Sequence, residues 1–342
     1  MSFARLSEPM SSAPTPQEIW KNARWLAQAV DPGAGLVRLV DMSQAAYREA
    51  SFLDDRMFQQ PRVSHLVKWG DVAAAMPTDA RRDARWIFHI SHVGSTLIAR
   101  MLGEIEGVLS IRETRAFRDL TFFPPDARAR YIPGVQALFS RTFARSGAAV
   151  VKTTSFVSEI AGELIPADRP ALYLYAGPRS FISGMLAGQN SRGDLVGPAK
   201  MRAEKLASRG IDLPEPRNDA DLAAAAWACG MTALEAAGAR NVLWADFDRV
   251  LDDLEGELGR MAAFFGFDAS PKRIREIAQG PLAQRYSKAT QFEYGPEVRR
   301  ALLDSAEKRF RSDIDAALAM LDAAAETSPV LTKALERARA ES

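Results

Sequence analysis

Short, continuously apolar runs alternate with amphipathic stretches through the middle of this chain. The runs are WIFHI at 86–90, VLSIR at 108–112, AAVVKT at 148–153, ALYLYA at 171–176 and NVLWA at 241–245. Helical spacing fills 95–106, 155–165, 179–187 and 219–237 between them. A strand buried on both faces has no polar side, so its sequence does not alternate. Apolar runs separated by helical patterns therefore predict an α/β class, with a parallel sheet of about five strands and helices on both faces.

The flanks read differently. Residues 1–15 are rich in Ser and Pro, and TPQEIWKNARWLAQAVD follows with Ile19, Trp20, Ala23, Trp25, Leu26 and Val30 at helical spacing. Thr15, Pro16 and Glu18 have the types and offsets of a capping box with proline in the first turn. GLVRLVDMS reads as a short strand and SQAAYREASFLDDRMF as a helix. Residues 1–80 are thus expected to form a mostly helical extension on an α/β domain at 81–342. The polar, Gly- and Pro-rich stretch 189–218 is too long for a simple connection and is expected to be a lid-like insertion. VRRALLDSAEKRFRSDIDAALAML, near the end, predicts a long amphipathic helix.

Composition narrows the chemistry. With 47% hydrophobic and 25% charged residues the chain is an ordinary globular one. A net charge of +1 gives no global field toward nucleic acid or membrane, so any anion site must be local. The N-terminus lacks the pattern of a secretory signal, and no apolar stretch is long enough to span a bilayer, which points to a cytoplasmic protein. The single cysteine, Cys229, rules out an internal disulfide. The three histidines, His65, His89 and His92, lack metal-ligand spacing, so no metal is expected.

The segment WIFHISHVGSTLIARML carries the most chemistry. A strand that enters a tight loop and then a helix aims backbone N–H groups and the positive end of the helix dipole at one point. Gly94 permits close backbone approach, Ser95 and Thr96 offer hydroxyls, and Leu97, Ile98, Met101 and Leu102 pack the helix on the sheet. A strand–helix turn with no ligand accounts for the same residues. The loop is not a Walker loop, because Ser95 stands where a lysine would follow the glycine.

HISHVGSTLIARML resembles the 5′-phosphosulfate loop of the sulfotransferase family, whose pattern is close to Pro-Lys-Ser-Gly-Thr-Thr. Ser91 stands for the proline, His92 for the lysine, Val93 for the serine, Gly94 for the glycine, and Ser95 and Thr96 for the threonines. GVLSIRET is similar to a strand of bacterial sulfotransferase-like proteins that ends in Arg-Glu-Pro, which puts Arg112 and Glu113 at a strand end. AAVVKTTSFVSEI ends a strand at Lys152 and continues into hydroxyls. ALYLYAGPRSFISGML resembles the family's 3′-phosphate segment at Pro178 and Arg179. Ala176 replaces its first arginine and Gly184 its serine, with Arg179, Ser180 and Ser183 left to compensate. LWADFDRVLDDLEGELGRMAAFFGFD resembles an architectural segment of the family, and Arg285, Ser287 and Lys288 fall where it places a phosphate-contacting loop. The resemblance covers about residues 86–290, in order.

The resemblance implies a P-loop-type fold and transfer of a sulfuryl group from 3′-phosphoadenosine 5′-phosphosulfate (PAPS) to a hydroxyl or amine of a small-molecule or glycan acceptor. Under it, residues 91–96, Arg179, Ser183, Arg285, Ser287 and Lys288 hold the donor. His92 replaces the lysine that donates to the bridging oxygen, Lys152 assists, and Glu113 is the base, with His89 second. His89 lies within a strand, where a satisfied core histidine is the plainer reading, and Trp86, Trp227 and Phe181 read as core residues. A P-loop kinase or other nucleotide enzyme, and a non-catalytic relative that keeps the fold, remain open alternatives. The sequence identifies neither the acceptor nor the oligomeric state.

Overall fold

The computed structural model describes residues 12–166, 168–188, 191–283 and 296–340. Its centre is a five-stranded parallel sheet built from β4 (Arg85–His89), β5 (Val108–Arg112), β6 (Ala148–Lys152), β7 (Ala171–Tyr175) and β8 (Val242–Asp246), in the order β5-β6-β4-β7-β8. These are the five apolar runs, displaced by at most one residue at either end. β5 and β7 are buried at every position, as the absence of alternation requires. Chain connections leave β4 toward β5 and leave β7 toward β8, in opposite directions. Such a divergence opens a crevice outside the carboxyl ends of the two strands.

Helices cover both faces. Ser95–Leu102 follows β4, and the eighteen-residue helix Asp219–Ala236 precedes β8 with a largely buried, alanine-rich surface. Pro296–Ala325 packs along Pro178–Ala187 and bends at Phe310, where φ is −118° and ψ 24°. Among the described residues, no helix is long and apolar enough to cross a membrane.

The N-terminal part corrects the sequence reading. The capping box forms: Thr15 Oγ1 accepts from Glu18 N at 3.3 Å, and Glu18 Oε2 accepts from Thr15 N at 2.7 Å. The helix nevertheless stops at Lys21, and the apolar positions beyond it belong to a strand, β1 (Trp25–Asp31). β1 pairs antiparallel with β2 (Leu36–Asp41), which pairs with β3 (Ser64–Lys68). Six of the seven β1 residues are buried, and a register shift between Ala27 and Ala29 turns Gln28 fully inward. Burial of both faces plus this bulge removes the two-residue alternation that would have marked a strand. Short helices at Pro16–Lys21, Gln44–Glu49 and Trp69–Ala74, with a 3-10 turn at Asp55–Gln59, complete the segment. The hydrophobic core runs without a break from Ile19, Val37 and Leu39 into the five-stranded sheet.

Two guanidiniums, the buried Arg112 and the half-buried Arg141, fasten this segment to the sheet. Arg112, 1% exposed, donates to the carbonyls of Tyr47, Ala50 (3.1 Å from Nε) and Ser110 (3.3 Å), while Leu53 N donates back to Arg112 O at 2.8 Å. Arg112 is therefore not one half of a surface pair with Glu113. Burial brings its pKa down to about 9, so it stays charged at neutral pH, satisfied by carbonyl dipoles. Arg141 donates in the same way to the carbonyls of Ile19, Asn22 (3.0 Å) and Trp25 (2.7 Å). Replacing Arg112 by Met should lower the unfolding free energy by about 3 kcal/mol, since several buried carbonyls lose their donor. Replacement by Lys should recover less than half, because one ammonium cannot reproduce the fork. Urea unfolding of the three proteins measures both.

Candidate functional site

The site grows from the turn after β4. Ile90 N donates to Leu174 O at 3.2 Å, which holds the start of the loop against β7. His92 (φ 55°) and Gly94 (φ 63°) both take the left-handed conformation, while Val93 between them is 1% exposed. An inward valine flanked by left-handed residues folds the backbone back over the first turn of Ser95–Leu102. No side chain caps that turn, because its N-cap is Gly94 itself. Its first amides, at the positive end of the helix dipole, are therefore left without a capping side chain.

Gly94 is required twice over. Its φ disfavours any side chain, and a Cβ there would lie 1.9, 2.2 and 2.7 Å from ring carbons of Phe247. Phe247 follows β8, so its ring joins the far edge strand to the loop. Arg299, from the long helix, lies 4.9 Å over the same ring, donating to Asp248 at 2.8 Å and Ser180 at 3.2 Å.

The end of β6 supplies the buried cation. Lys152 is 1% exposed, donates to Thr96 Oγ1 at 3.3 Å and is ion-paired with Glu113 at the end of β5. Glu113 is also left-handed (φ 54°) and gives its backbone N–H to Lys152 O at 2.7 Å. Its second oxygen accepts from Arg56 at 2.9 Å, and that guanidinium lies 3.4 Å over the ring of Phe52. Thr96, Lys152 and Glu113 are thus one connected group beneath the loop.

The remaining predicted residues are placed as follows. His92 Nε2 lies 3.0 Å from Asp194 Oδ2, and Asp194 belongs to the 189–218 stretch, which carries helices Ser191–Val196 and Ala199–Ser208. Ser91 is part-exposed, whereas Ser95 and Thr96 are buried. His89 is 5% exposed with Nε2 3.0 Å from Thr153 O, the environment of a core histidine. Arg179, in the first turn of Pro178–Ala187, pairs at 2.7 Å with Asp315. Ser183 is fully buried and faces Glu307 at 3.5 Å. Arg285, Ser287 and Lys288 lie outside the described residues. Trp86, Trp227 and Phe181 are core residues, each 3% exposed or less. Among the described residues no cluster of three His, Cys, Asp or Glu is placed to hold a metal.

Four contributors had no sequence signal of their own. Arg56, Asp194, Phe247 and Arg299 come from segments read as extension, insertion, architecture and terminal helix. Only the polar excess of 189–218 hinted at one of them.

Beyond the loop, a cavity of about 490 Å³ opens at the ends of β7 and β8, lined in part by Gly177, Arg179, Ser180, Asp246 and Arg249. Asp246 is 5% exposed, and its pKa is raised to about 6 by burial and then by neighbouring Asp248. Backbone N–H groups of Asp248, Arg249 and Gly177 oppose the rise.

No family model matches the sequence, and no curated protein matches it significantly. Several solved structures do. A sulfotransferase domain from the curacin biosynthetic pathway is 14% identical with a TM-score of 0.37, the match covering 70% of this chain and 97% of that one. The sulfotransferase domain of the Synechococcus PCC 7002 olefin synthase is 16% identical with a TM-score of 0.37, covering 68% and 90%. Mouse sulfotransferase SULT7A1, complexed with PAP, is 12% identical with a TM-score of 0.38, covering 75% and 90%. These are sulfotransferases, the family that residues 86–290 resemble.

Two consequences can be measured. Gly94→Ala should destabilise by at least about 2 kcal/mol from φ strain and the Phe247 contact together. Adding Phe247→Ala should remove the contact part but not the strain, giving a non-additive double-mutant cycle in thermal unfolding. For Asp246 the sign follows from the raised pKa. The folded state holds a proton that the unfolded state has released, so this residue's contribution to stability falls as pH rises from about 4 to about 6. Asp246→Asn, which keeps an acceptor for the cap, should gain in melting temperature relative to the parent across that window. In unfolding free energy the gain should level off above it, at up to about 3 kcal/mol.

Proposed function

We infer that the chain transfers a sulfuryl group from PAPS to a hydroxyl or amine of a small-molecule or glycan acceptor. One observation carries the reading: the uncapped helix start at Ser95 stands above a fully buried lysine that reaches Thr96 at 3.3 Å. Backbone amides, a hydroxyl and a desolvated ammonium converging on one concavity suit a polyanion, and they sit beside the crevice where an α/β sheet binds ligands.

PAPS, when bound, would supply a sulfuryl group on a phosphate leaving group. The chain's task is then positioning and charge stabilisation, as in phosphoryl transfer. Ser91 to Thr96 would hold the phosphosulfate through main-chain N–H groups and the Ser95 and Thr96 hydroxyls. Protonated His92 would donate to the bridging oxygen in place of lysine. Lys152 would neutralise charge from below, loosening its contact with Glu113 as it did so. Glu113, freed in part, would accept the proton of the acceptor. Arg179 and Ser180, at the 490 Å³ cavity, are the side chains available for the 3′-phosphate.

A specific observation favours a second reading, a non-catalytic relative. Phe247 lies against Gly94, and both Lys152 and His92 already face carboxylates, those of Glu113 and Asp194. A nucleotide kinase is less well served, because no lysine follows Gly94.

A thermal-shift series with 3′-phosphoadenosine 5′-phosphate, ATP–Mg²⁺ and GTP–Mg²⁺ separates these readings. At a hundredfold excess over Kd, 3′-phosphoadenosine 5′-phosphate should raise the melting temperature by at least about 3 °C, and the others should not. A shift with ATP alone would revive the kinase. Absence of any shift, with no heat in titration calorimetry, would remove the donor assignment. Sulfate transfer abolished by Gly94→Trp would exclude the non-catalytic relative.

A further inference from the structure

We propose that Asp194 is a positioning residue for the loop: its carboxylate fixes the ring of His92 and favours the imidazolium, so that the insertion supplies the positive charge which the loop's own sequence lacks. The inference deepens the sulfotransferase reading and rests on it for its functional meaning.

A neutral imidazole has one N–H, and the nitrogen facing a carboxylate takes it. With Nε2 3.0 Å from Asp194 Oδ2, that proton sits on Nε2. Nδ1 of the neutral ring is then an acceptor, the wrong polarity for an anion. Only the imidazolium presents a second N–H on Nδ1. A loop with histidine in place of lysine therefore becomes a donor only when the ring is doubly protonated, and an adjacent carboxylate favours that state.

The backbone supports a fixed ring. His92 is a left-handed non-glycine residue in a loop pinned by inward Val93 on one side and Gly94 on the other. Its side chain is 27% exposed. Arg202, on the next helix of the insertion, donates to Leu195 O at 3.1 Å and adds a favourable charge interaction with Asp194. On the insertion side the charged groups near the ring include Asp194 and, through its charge interaction with Asp194, Arg202. Asp194 itself is 65% exposed, so its effect on the ring should be a few tenths to about one pH unit.

The test is a proton NMR titration of the histidine ring signals in the full chain. His92 is assigned by loss of its signal in His92→Gln, and the parent is compared with Asp194→Asn. The parent His92 should titrate above the ordinary value of about 6.5, and the Asn variant should titrate lower by a few tenths to one unit. Binding of 3′-phosphoadenosine 5′-phosphate should weaken as pH rises through the His92 midpoint, and that fall should move to lower pH in Asp194→Asn. His65 and His89 should titrate identically in both proteins, which separates a local effect from general loosening. An unchanged His92 midpoint would overturn the proposal. So would tighter ligand binding in Asp194→Asn, which would make Asp194 a competitor for the loop. If the ligand binds neither protein, the donor assignment fails, while the titration still decides whether Asp194 charges the ring.

Discussion

The buried pair of Lys152 and Glu113 is the contact around which the site is organised. It joins the ends of β6 and β5, reaches the loop through Thr96 and reaches the N-terminal segment through Arg56. An ammonium with 1% exposure would be very costly without a counter-charge, and Glu113 provides one within the same layer. Removing either partner alone would strand a charge in the core. The pair is thus a constraint on the fold and a reserve of positive charge below the loop, and these two uses pull against each other. A bound anion would compete with Glu113 for the same cation.

The same arrangement recurs above the sheet. His92 faces Asp194, Arg179 faces Asp315 and Arg299 faces Asp248. These three basic groups each have an acidic neighbour drawn from a different element. This agrees with the near-zero net charge of the chain, and it makes the site's electrostatics a matter of which partner moves. Attraction for an anion would then arise from exchange between protein carboxylates and ligand oxygens, with little contribution from any long-range field.

Much of this was legible in the residues. Strands with no polar face write themselves as unbroken apolar runs, so β4 to β8 could be read to within a residue. The turn at Gly94, the strand-end positions of Glu113 and Lys152, and the capping box at Thr15 are local features and were legible for that reason. β1 was not, because its bulge at Gln28 and its burial on both faces erase the alternation that marks an antiparallel strand. Arg112 was readable as a residue at a strand end, but not as a donor to carbonyls sixty residues earlier. Asp194 and Phe247 reach the loop only through tertiary packing, and nothing in their own neighbourhoods signals that contact.

The two arginines that fasten the N-terminal segment have a consequence for how the chain is made. The carbonyls of Ile19, Asn22, Tyr47 and Ala50 leave the ribosome well before Arg112 and Arg141, the donors that satisfy them. During synthesis these carbonyls therefore lack the partners their folded backbone requires. The segment that holds them completes its structure only after the middle of the chain has emerged. A stop between those two points would release an N-terminal fragment with its apolar surface and its carbonyls both unmet, a natural substrate for chaperones.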